Sequence, residues 1–501
     1  MLLALVTLFI FLFAWLAWKR LDWAAALVIT ALPAYQIRFN ILFLPSNLLE
    51  AMIIVLFSVW LVKSWRAREL PLFNKHLSNV RHYPIYVEII LLLAIAFVSA
   101  GVSGFSNASL GILKAYFMEP IMFFIVLVNI FKAKENREII FWALSVSALV
   151  VSIVAIYQRL TGGLLPLAWQ GSGRVTGVFA YPNALGLYLG PIIIILFGWI
   201  IYLAKNFQLA IPSTRDNFQT IFNAKIFNVM FVGATFVLSI LAIYFAHSQG
   251  AIVGLAAALI VFGILYNLRM RLLVTIALAA AVVILVLNPT WLARLQSKIM
   301  LRDLDGQIRR QQWTETKKML TDGKLLFGAG LANYQTAVAP YHQAGIFVKD
   351  YNDPDFQRKA VFNADYRRKV WQPLEIYLYP HNILLNFWVE LGFAGVLLFI
   401  WIIGKYLVTS YQLQVTSNKR QVTNNKLQII NYENREIILG LMCAMIVVAV
   451  HGLVDAPYFK NDLAVLFWVM IGMTGILQLE ANRLAEAEKL KLKNRKGRIV
   501  V

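Results

Sequence analysis

The sequence has a single cysteine, Cys443, and only six histidines, which are scattered along the chain. One cysteine excludes disulfides within the chain and thiolate metal sites, and no HxxxH or HExxH spacing marks a histidine metal site. Charged residues are also scarce, at 14% of 501 positions, whereas a soluble protein carries about 25%. A soluble enzyme with a metal centre is therefore not expected, and no cofactor is predicted.

Long apolar runs take the place of the missing charge. Hydrophobic residues make up 60% of the chain, with a mean hydropathy of +0.68, and runs such as "GLYLGPIIIILFGWIIYLA" recur. Runs of about 17 to 25 apolar residues are typical of transmembrane helices, because lipid offers the backbone no hydrogen-bond partner. The first run lacks a positive n-region and a cleavage pattern, which predicts a retained helix rather than a signal peptide. The sequence predicts an all-α, polytopic membrane protein.

Hydropathy predicts about twelve to thirteen spans. Their predicted starts lie near residues 2, 22, 47, 84, 116, 138, 177, 226, 250, 272, 382, 436 and 462. Clusters of lysine and arginine follow alternate spans, which places these clusters and the basic C-terminal tail in the cytoplasm. Most of the formal charge of +21 is then positive-inside bias, and no nucleic-acid partner is predicted.

The predicted organisation has five parts. They are N-terminal helices (1–170), core helices (171–290), one large external loop (291–380), C-terminal helices (381–480) and a basic cytoplasmic tail (481–501). The loop holds fourteen Lys and Arg against nine Asp and Glu, a net charge of +5. Such a surface can attract an anionic substrate, although most of these charges are expected to be solvated.

Within the loop, residues 305–335 predict an amphipathic helix ended by Gly-Ala-Gly. At helical spacing its two faces group as Ile308, Gln312, Glu315 and Met319, and as Arg309, Trp313, Thr316 and Leu320. The "NDPDF" segment at 352–356 has the DxD spacing of a nucleotide-sugar metal site. Nucleotide sugars are cytoplasmic while this loop is predicted to be external, so the segment is interpreted as a turn.

Four polar segments lie near the predicted outer boundary of the membrane. They are Arg174 in "GSGRVTGVFAYPNALG", the "HSQGA" segment at 247–251, the pair Arg309 and Arg310, and the pair His381 and Asn382. Polar groups close to lipid are costly and tend to face a cavity or a partner. A shared pocket at the outer face is therefore predicted.

In their order along the chain, "RVTGVFAYPNALG", "HSQGA", "RRQQW…GAGLANY" and "PHNILLNFWVELGFAG" resemble the O-antigen ligase and O-antigen polymerase superfamily. The closing "HGLVDAPYFKNDLAVLFW" from His451 is similar to the last spans of that family, so the resemblance covers roughly residues 170–475. It implies a GT-C-like multi-pass glycosyltransferase of the plasma (inner) membrane. Such an enzyme moves a glycan from an undecaprenyl-diphosphate carrier to a glycan, lipid or protein acceptor at the outer face, without a metal.

The resemblance also assigns residues. His381 matches the essential histidine of the family, Arg309 or Arg310 matches its loop arginine, and Arg174 matches the arginine ahead of "PN". The family has Ser-Arg-Gly-Ala where this chain has Gln249 in place of the arginine. This departure means either that another arginine stabilises the charge of the diphosphate or that the activity of this chain differs from that of the family.

The chemistry fits these residue types. A histidine that titrates near neutral pH can act as the base, and a guanidinium can hold a leaving diphosphate. His381, Arg310 and Arg174 are therefore the predicted catalytic residues. The predicted substrate-binding residues are Arg309, Gln249, Asn382, Asn183 and Asp455. For His451 and Asp455, one turn apart, helix capping remains an alternative to a substrate-side role.

Glu390 lies nine residues after His381, about 900° around and roughly 13 Å along a helix. It therefore falls on the opposite face from His381, and a structural or pocket-anchoring role is predicted.

Other functions remain open. The polymerase of the same superfamily is one, and Gln249 keeps a non-catalytic assembly protein possible. A transporter or flippase is a third, but transporters gather charge near the midplane, often in repeated halves, and no internal repeat is visible here.

Overall fold

The computed structural model describes residues 2–41, 44–67, 85–131, 137–209, 215–416, 420–423, 426–429 and 434–497. The helices of the first half are α1 (Leu2–Lys19), α2 (Leu21–Thr30), α3 (Leu48–Arg66), α4 (Tyr86–Val102), α5 (Asn107–Ile112), α6 (Glu119–Ile130), α7 (Glu138–Thr161), α8 (Pro182–Leu209), α9 (Arg215–Ala246) and α10 (Gln249–Tyr266). Those of the second half are α11 (Leu268–Leu287), α12 (Pro289–Ile299), α13 (Leu304–Met319), α14 (Tyr334–Val338), α15 (Phe356–Phe362), α16 (Ala364–Val370), α17 (Ile383–Thr416), α18 (Arg435–His451) and α19 (Asn461–Gly497).

Shorter elements complete the described residues. Single 3-10 or π turns occur at Leu32–Gln36, Leu113–Met118, Leu167–Trp169, Leu320–Lys324 and Ala339–Tyr341. The strands are β1 (Arg38–Ile41), β2 (Leu44–Asn47), β3 (Gly345–Phe347), β4 (Trp371–Pro373), β5 (Arg420–Thr423) and β6 (Lys426–Ile429), and they form three antiparallel pairs, β1–β2, β3–β4 and β5–β6.

Nine helical segments of the described residues are long and apolar enough to cross a membrane, with Asn107–Ile130 (α5, the π turn and α6) counted as one. Leu3–Lys19, Leu21–Thr30 and Tyr86–Val102 are shorter apolar helices. The all-α polytopic fold is therefore confirmed, and a helix occurs at or close to each of the thirteen predicted positions. The predicted number of spans exceeds the nine among the described residues. The difference arises because hydropathy does not show where a helix stops: α2 ends after 10 residues, just before Pro33, and α18 has 17.

The structure describes only part of the basic clusters from which the orientation in the membrane is predicted. Residues 68–70, 132–136, 210–214, 419, 424–425, 430–433 and 498 of these clusters lie outside the described residues. The cytoplasmic placement of these clusters and of the tail therefore stays a prediction.

The centre of the bundle is built on α8 and α18, which pack closely along their lengths. A Cβ on Gly198 of α8 would lie 2.5 Å from the carbonyl oxygen of Glu436 and 3.0 Å from the Cα of Gly440 in α18. Small residues let membrane helices approach until their backbones touch. This contact fixes α8 against α18 and so positions the residues at their ends.

One end of the bundle collects most of the polar connections. This end holds residues 31–41, 44–47, 162–181, 247–248, 288–382 and 452–460. Side-chain contacts join them, such as those of Tyr181 with Tyr379, Arg174 with Ala246, His381 with Asp455, and Lys460 with Tyr35. We call this end the loop face.

The long loop is anchored to a break in α17. Gly392 interrupts that helix with φ 74° and ψ −175°, and the amide of Phe393 donates to the carbonyl of Leu326 (2.9 Å). The amide of Ala329 donates to the carbonyl of Val389 (2.7 Å). A Cβ on Gly392 would lie 2.2 Å from the Leu326 oxygen, and its positive φ also favours glycine.

Glu390 takes part in the same junction. Its side chain accepts a hydrogen bond from the Ala332 amide (2.8 Å), and its carbonyl accepts one from the Ser99 hydroxyl. The side chain is 4% exposed. Glu390 therefore holds the "GAGLANY" segment against α17.

Candidate functional site

His381 occupies a constrained position immediately before α17. Its φ of 43° lies in the left-handed region, which is uncommon for a non-glycine residue and recurs at functional sites. The neighbouring Asn382 caps α17 by accepting from the Leu385 amide (3.0 Å), and its side-chain amide donates to the carbonyl of Leu453 (3.0 Å). Asn382, predicted to bind substrate, thus has both its polar atoms engaged in holding the backbone of His381.

Helix α13 fixes the residues on the other side of His381. The indole N–H of Trp313 donates to the carbonyl of Pro380, and the amide of Gln312 donates to the carbonyl of Tyr379, both at 2.7 Å. Both predicted faces of the amphipathic helix are used here, since Gln312 comes from one and Trp313 from the other. The helix ends at the kink of Asp322 and Gly323, ahead of the predicted Gly-Ala-Gly stop.

The imidazole of His381 faces a buried carboxylate. Its Nδ1 lies 3.7 Å from Oδ1 of Asp455, which is longer than a hydrogen bond, and the Asp455 side chain is 2% exposed against 22% for His381. Oδ1 of Asp455 also accepts from the Tyr379 hydroxyl (3.2 Å) and from the Ala456 amide (2.8 Å). The ring of Tyr379 lies 4.5 Å from that of His381, centroid to centroid.

The electrostatics of this pair favour an ionised carboxylate. Burial favours the neutral form of Asp455, but the adjacent imidazoles of His381 and His451 and the Ala456 amide together lower the pKa of the carboxyl below its ordinary value. Burial and the Asp455 carboxylate raise the pKa of the Tyr379 hydroxyl, which therefore stays protonated as a donor. The anionic Asp455 is thus the charged neighbour of the Nδ1 edge of the His381 ring.

Arg174 is held beside the start of α10. Its Nε donates to the carbonyl of Ala246 (2.9 Å), and Nη2 donates to Oδ1 of Asn183 (3.1 Å). The guanidinium lies 5.3 Å from the ring centroid of Trp169. Asn183, predicted to bind substrate, therefore orients Arg174. No carboxylate pairs with Arg174 among the described residues.

The "HSQGA" segment packs on the end of α18. A Cβ on Gly250 would lie 2.3 Å from Cδ2 of His451, and one on Gly186 would lie 2.2 Å from the hydroxyl of Ser248. Gln249, which lies between Ser248 and Gly250 in the chain, is the first residue of α10 and is exposed. Its side chain makes no hydrogen bond with the part of the chain that the structure describes.

The two loop arginines point to different surroundings. Nη1 of Arg310 donates to the hydroxyl of Tyr351 (3.1 Å) on the exposed outer surface of the loop. Arg309 is half-buried and lies near Tyr377, whose ring is 5.2 Å from that of His381. Burial and the nearby carboxylates Glu375 and Asp305 raise the pKa of Tyr377, and the positive charge of Arg309 opposes this rise. Arg309, rather than Arg310, is thus the arginine on the side of His381.

Lys460 is a further candidate that the sequence motifs did not single out. Its Nζ lies 4.5 Å from the ring centroid of Tyr181 and 5.9 Å from that of Tyr35, and the Tyr181 hydroxyl lies 3.4 Å from that of Tyr379. Burial favours the neutral amine, but Tyr181, Asp462 and Tyr35 together raise the pKa of Lys460. The signal in the sequence that could have pointed to Lys460 was a lysine at the predicted membrane boundary, close to Tyr458.

The "NDPDF" segment forms ordinary loop contacts. Lys359 Nζ lies 2.9 Å from Oδ2 of Asp353, and the Asp355 amide donates to Oδ1 of Asp353 (3.0 Å). Among the described residues, no three His, Cys, Asp or Glu side chains are grouped to hold a metal ion.

Comparison with known proteins adds one match. The family model described as O-antigen ligase matches residues 234–400, a range that runs from α9 through the loop to the first half of α17. It includes Gln249, Arg309 and His381. No curated protein matches the chain significantly. The match confirms the resemblance seen in the sequence motifs and shows that residues 234–400 are similar to an O-antigen ligase domain.

Proposed function

We propose that the protein transfers a glycan from an undecaprenyl-diphosphate carrier to a hydroxyl of an acceptor at the outer face of the plasma membrane. The observation that carries this proposal is the accessible His381 imidazole, set against buried Asp455 with Arg174 and Arg309 on the same loop face. On this proposal, the loop face is external and the C-terminal tail cytoplasmic.

In the proposed reaction, each of the four side chains has one role. Nε2 of His381 takes the proton of the acceptor hydroxyl, and the oxygen attacks the anomeric carbon of the donor sugar. The bond between that carbon and the diphosphate oxygen breaks, and Arg174 and Arg309 stabilise the charge of the departing diphosphate. Asp455 stabilises the imidazolium, which then releases its proton to water or to the diphosphate.

A reconstituted assay tests the function. Purified protein in proteoliposomes is given an undecaprenyl-diphosphate oligosaccharide and a candidate acceptor, and products are identified by mass spectrometry. We expect a new glycosidic bond to the acceptor together with free undecaprenyl diphosphate. Movement of intact lipid-linked glycan across the bilayer without bond formation would instead identify a flippase. Extension of the donor by further donor units would identify the polymerase.

Gln249 gives a gain-of-function test. Restoring the family arginine with Gln249→Arg puts a cation three residues from Ala246, whose carbonyl holds Arg174. Because a second guanidinium can share the diphosphate charge, we expect transfer to be preserved or increased. Gln249→Lys is the control, since it adds charge without bidentate geometry and should do less. A loss of transfer in Gln249→Arg with normal expression contradicts the alignment of "HSQGA" with the family motif.

A further inference from the structure

We propose that a cleft on the loop face, outside the region matched by the family model, binds an anionic sugar unit of the acceptor. The cleft has a volume of about 260 Å³ and is lined by Tyr35, Arg38, Lys114, Tyr116 and Asn461, among others. This volume is close to the lower end of ligand pockets, about 300–1,000 Å³. It suits a single sugar unit rather than a whole glycan. The assignment to the acceptor rests on the proposed glycan transfer.

The cleft contains polar side chains that are available to bind a ligand. Arg38 has no carboxylate partner and no side-chain hydrogen bond among the described residues. Asn461 is only 9% exposed, its side-chain Nδ2 makes no hydrogen bond of good geometry among the described residues, and the buried carboxyl of Glu119 lies beside it. A buried donor left poorly paired is costly, and a ligand oxygen in the cleft would compete with Glu119 for it.

The charge of the cleft favours an anion. Lys114 forms an ion pair with Glu50 at 2.5 Å, which neutralises one cation, and Arg38 remains as a net positive charge. Tyr35 and Tyr116 add two aromatic side chains to the same wall. Aromatic surfaces beside an arginine and an amide fit a sugar that carries a phosphate or carboxylate, since guanidinium binds both anions bidentately.

The backbone of the cleft is specially shaped. Lys114 and Tyr116 lie in the π-helical turn Leu113–Met118, a rare conformation that often occurs at functional sites. The Tyr458 hydroxyl donates to the carbonyl of Tyr116 (2.8 Å) and so fixes this turn. Arg38 is presented by the β1–β2 hairpin, paired with Asn47.

The cleft adjoins the His381 cluster. Asn461 follows Lys460 in the chain, and Tyr35 contributes both to the cleft and to the surroundings of Lys460. From Lys460 the contacts continue through Tyr181 and Tyr379 to Asp455. A sugar held in the cleft therefore lies at one end of a series of polar contacts whose other end is the proposed base, and a longer acceptor glycan can extend from the cleft toward His381.

Binding of a soluble probe tests the site without catalysis. Protein in nanodiscs is titrated with glucose 6-phosphate, glucose or inorganic phosphate, and saturation-transfer NMR reports binding. We expect glucose 6-phosphate to bind more tightly than either other probe. Arg38→Ala should weaken it roughly tenfold or more, because a hydrogen bond to a charged group contributes about 1.5–3 kcal/mol. Arg38→Lys, which keeps the charge, should lose less.

A matched arginine serves as the control. Arg368 lies on the loop, outside the cleft, and its side chain is 84% exposed. Arg368→Ala removes the same charge and should leave probe binding unchanged. Equal binding of phosphate and glucose 6-phosphate would overturn the sugar assignment. An Arg38→Ala protein that binds as wild type would overturn the site itself.

Transfer kinetics separate this proposal from the proposed function. If transfer occurs, Arg38→Ala should raise the KM for a phosphorylated acceptor and leave donor binding unchanged. Transfer with an unaltered acceptor KM in Arg38→Ala would refute the cleft alone. Arg38-dependent binding of glucose 6-phosphate in a protein that makes no glycosidic bond would refute the proposed function while supporting an anionic-sugar site.

Discussion

Replacing His381 with alanine should abolish glycan transfer while the protein still inserts into the membrane and still binds the lipid diphosphate donor. Loss of a general base typically lowers the rate by about 10² to 10⁴. The backbone at His381 is held by Asn382, Gln312 and Trp313 rather than by its own side chain, so the fold should survive. The measurement is product formation in proteoliposomes, with expression and donor binding followed in parallel.

His342→Ala provides the matched control. His342 lies in the same loop, its side chain is 17% exposed, and it pairs with Glu315 instead of Asp455. This variant should retain transfer. Asp455→Asn should reduce transfer without removing it, because the amide keeps the shape but loses the charge that stabilises the imidazolium. Full transfer by His381→Ala would remove the histidine from the mechanism and with it the main reason to prefer an enzyme over a transporter.

The second large effect is expected from Arg309→Ala. We expect weaker donor binding and transfer reduced roughly tenfold to hundredfold, because a charge-assisted hydrogen bond to phosphate contributes about 1.5–3 kcal/mol. Arg310→Ala removes an equal charge from the next position of the same helix, where the side chain donates a hydrogen bond to the exposed Tyr351. Its transfer rate should stay close to that of wild type.

Donor affinity and rate are both needed for this comparison. Affinity is measured with the undecaprenyl-diphosphate oligosaccharide alone, and rate is measured with the acceptor added. A larger loss in Arg310→Ala than in Arg309→Ala would restore the residue that the sequence favoured and would show that the loop rearranges when the donor binds.

Hydropathy alone located the helices, because apolar runs in lipid have no alternative to helical hydrogen bonding. It could not reveal the break at Gly392 or the π turn at Leu113–Met118. Both depend on contacts with distant segments. Gly392 meets the carbonyl of Leu326, and Tyr116 meets Tyr458, which lies 342 residues away.

For the candidate site, too, the sequence predicted some features and could not reveal others. Sequence motifs placed His381 and Arg174 on one face, and the helical repeat grouped Arg309 with Trp313. Only the structure shows that Trp313 contacts Pro380, next to His381, and that Arg310 contacts Tyr351 instead. Asp455 could be proposed from the family resemblance, but its pairing with His381 joins segments 74 residues apart, and no local pattern records such a contact.

The junction between the loop and the break in α17 bears on how substrates reach the site. Two backbone hydrogen bonds and the Glu390 side chain tie residues 326–332 to the helix, and leaving such buried groups unpaired costs about 1–3 kcal/mol each. This part of the loop is therefore held firmly against α17. On the proposed function, we expect a long lipid carrier to reach the site sideways from the bilayer and the histidine to keep its place from one turnover to the next.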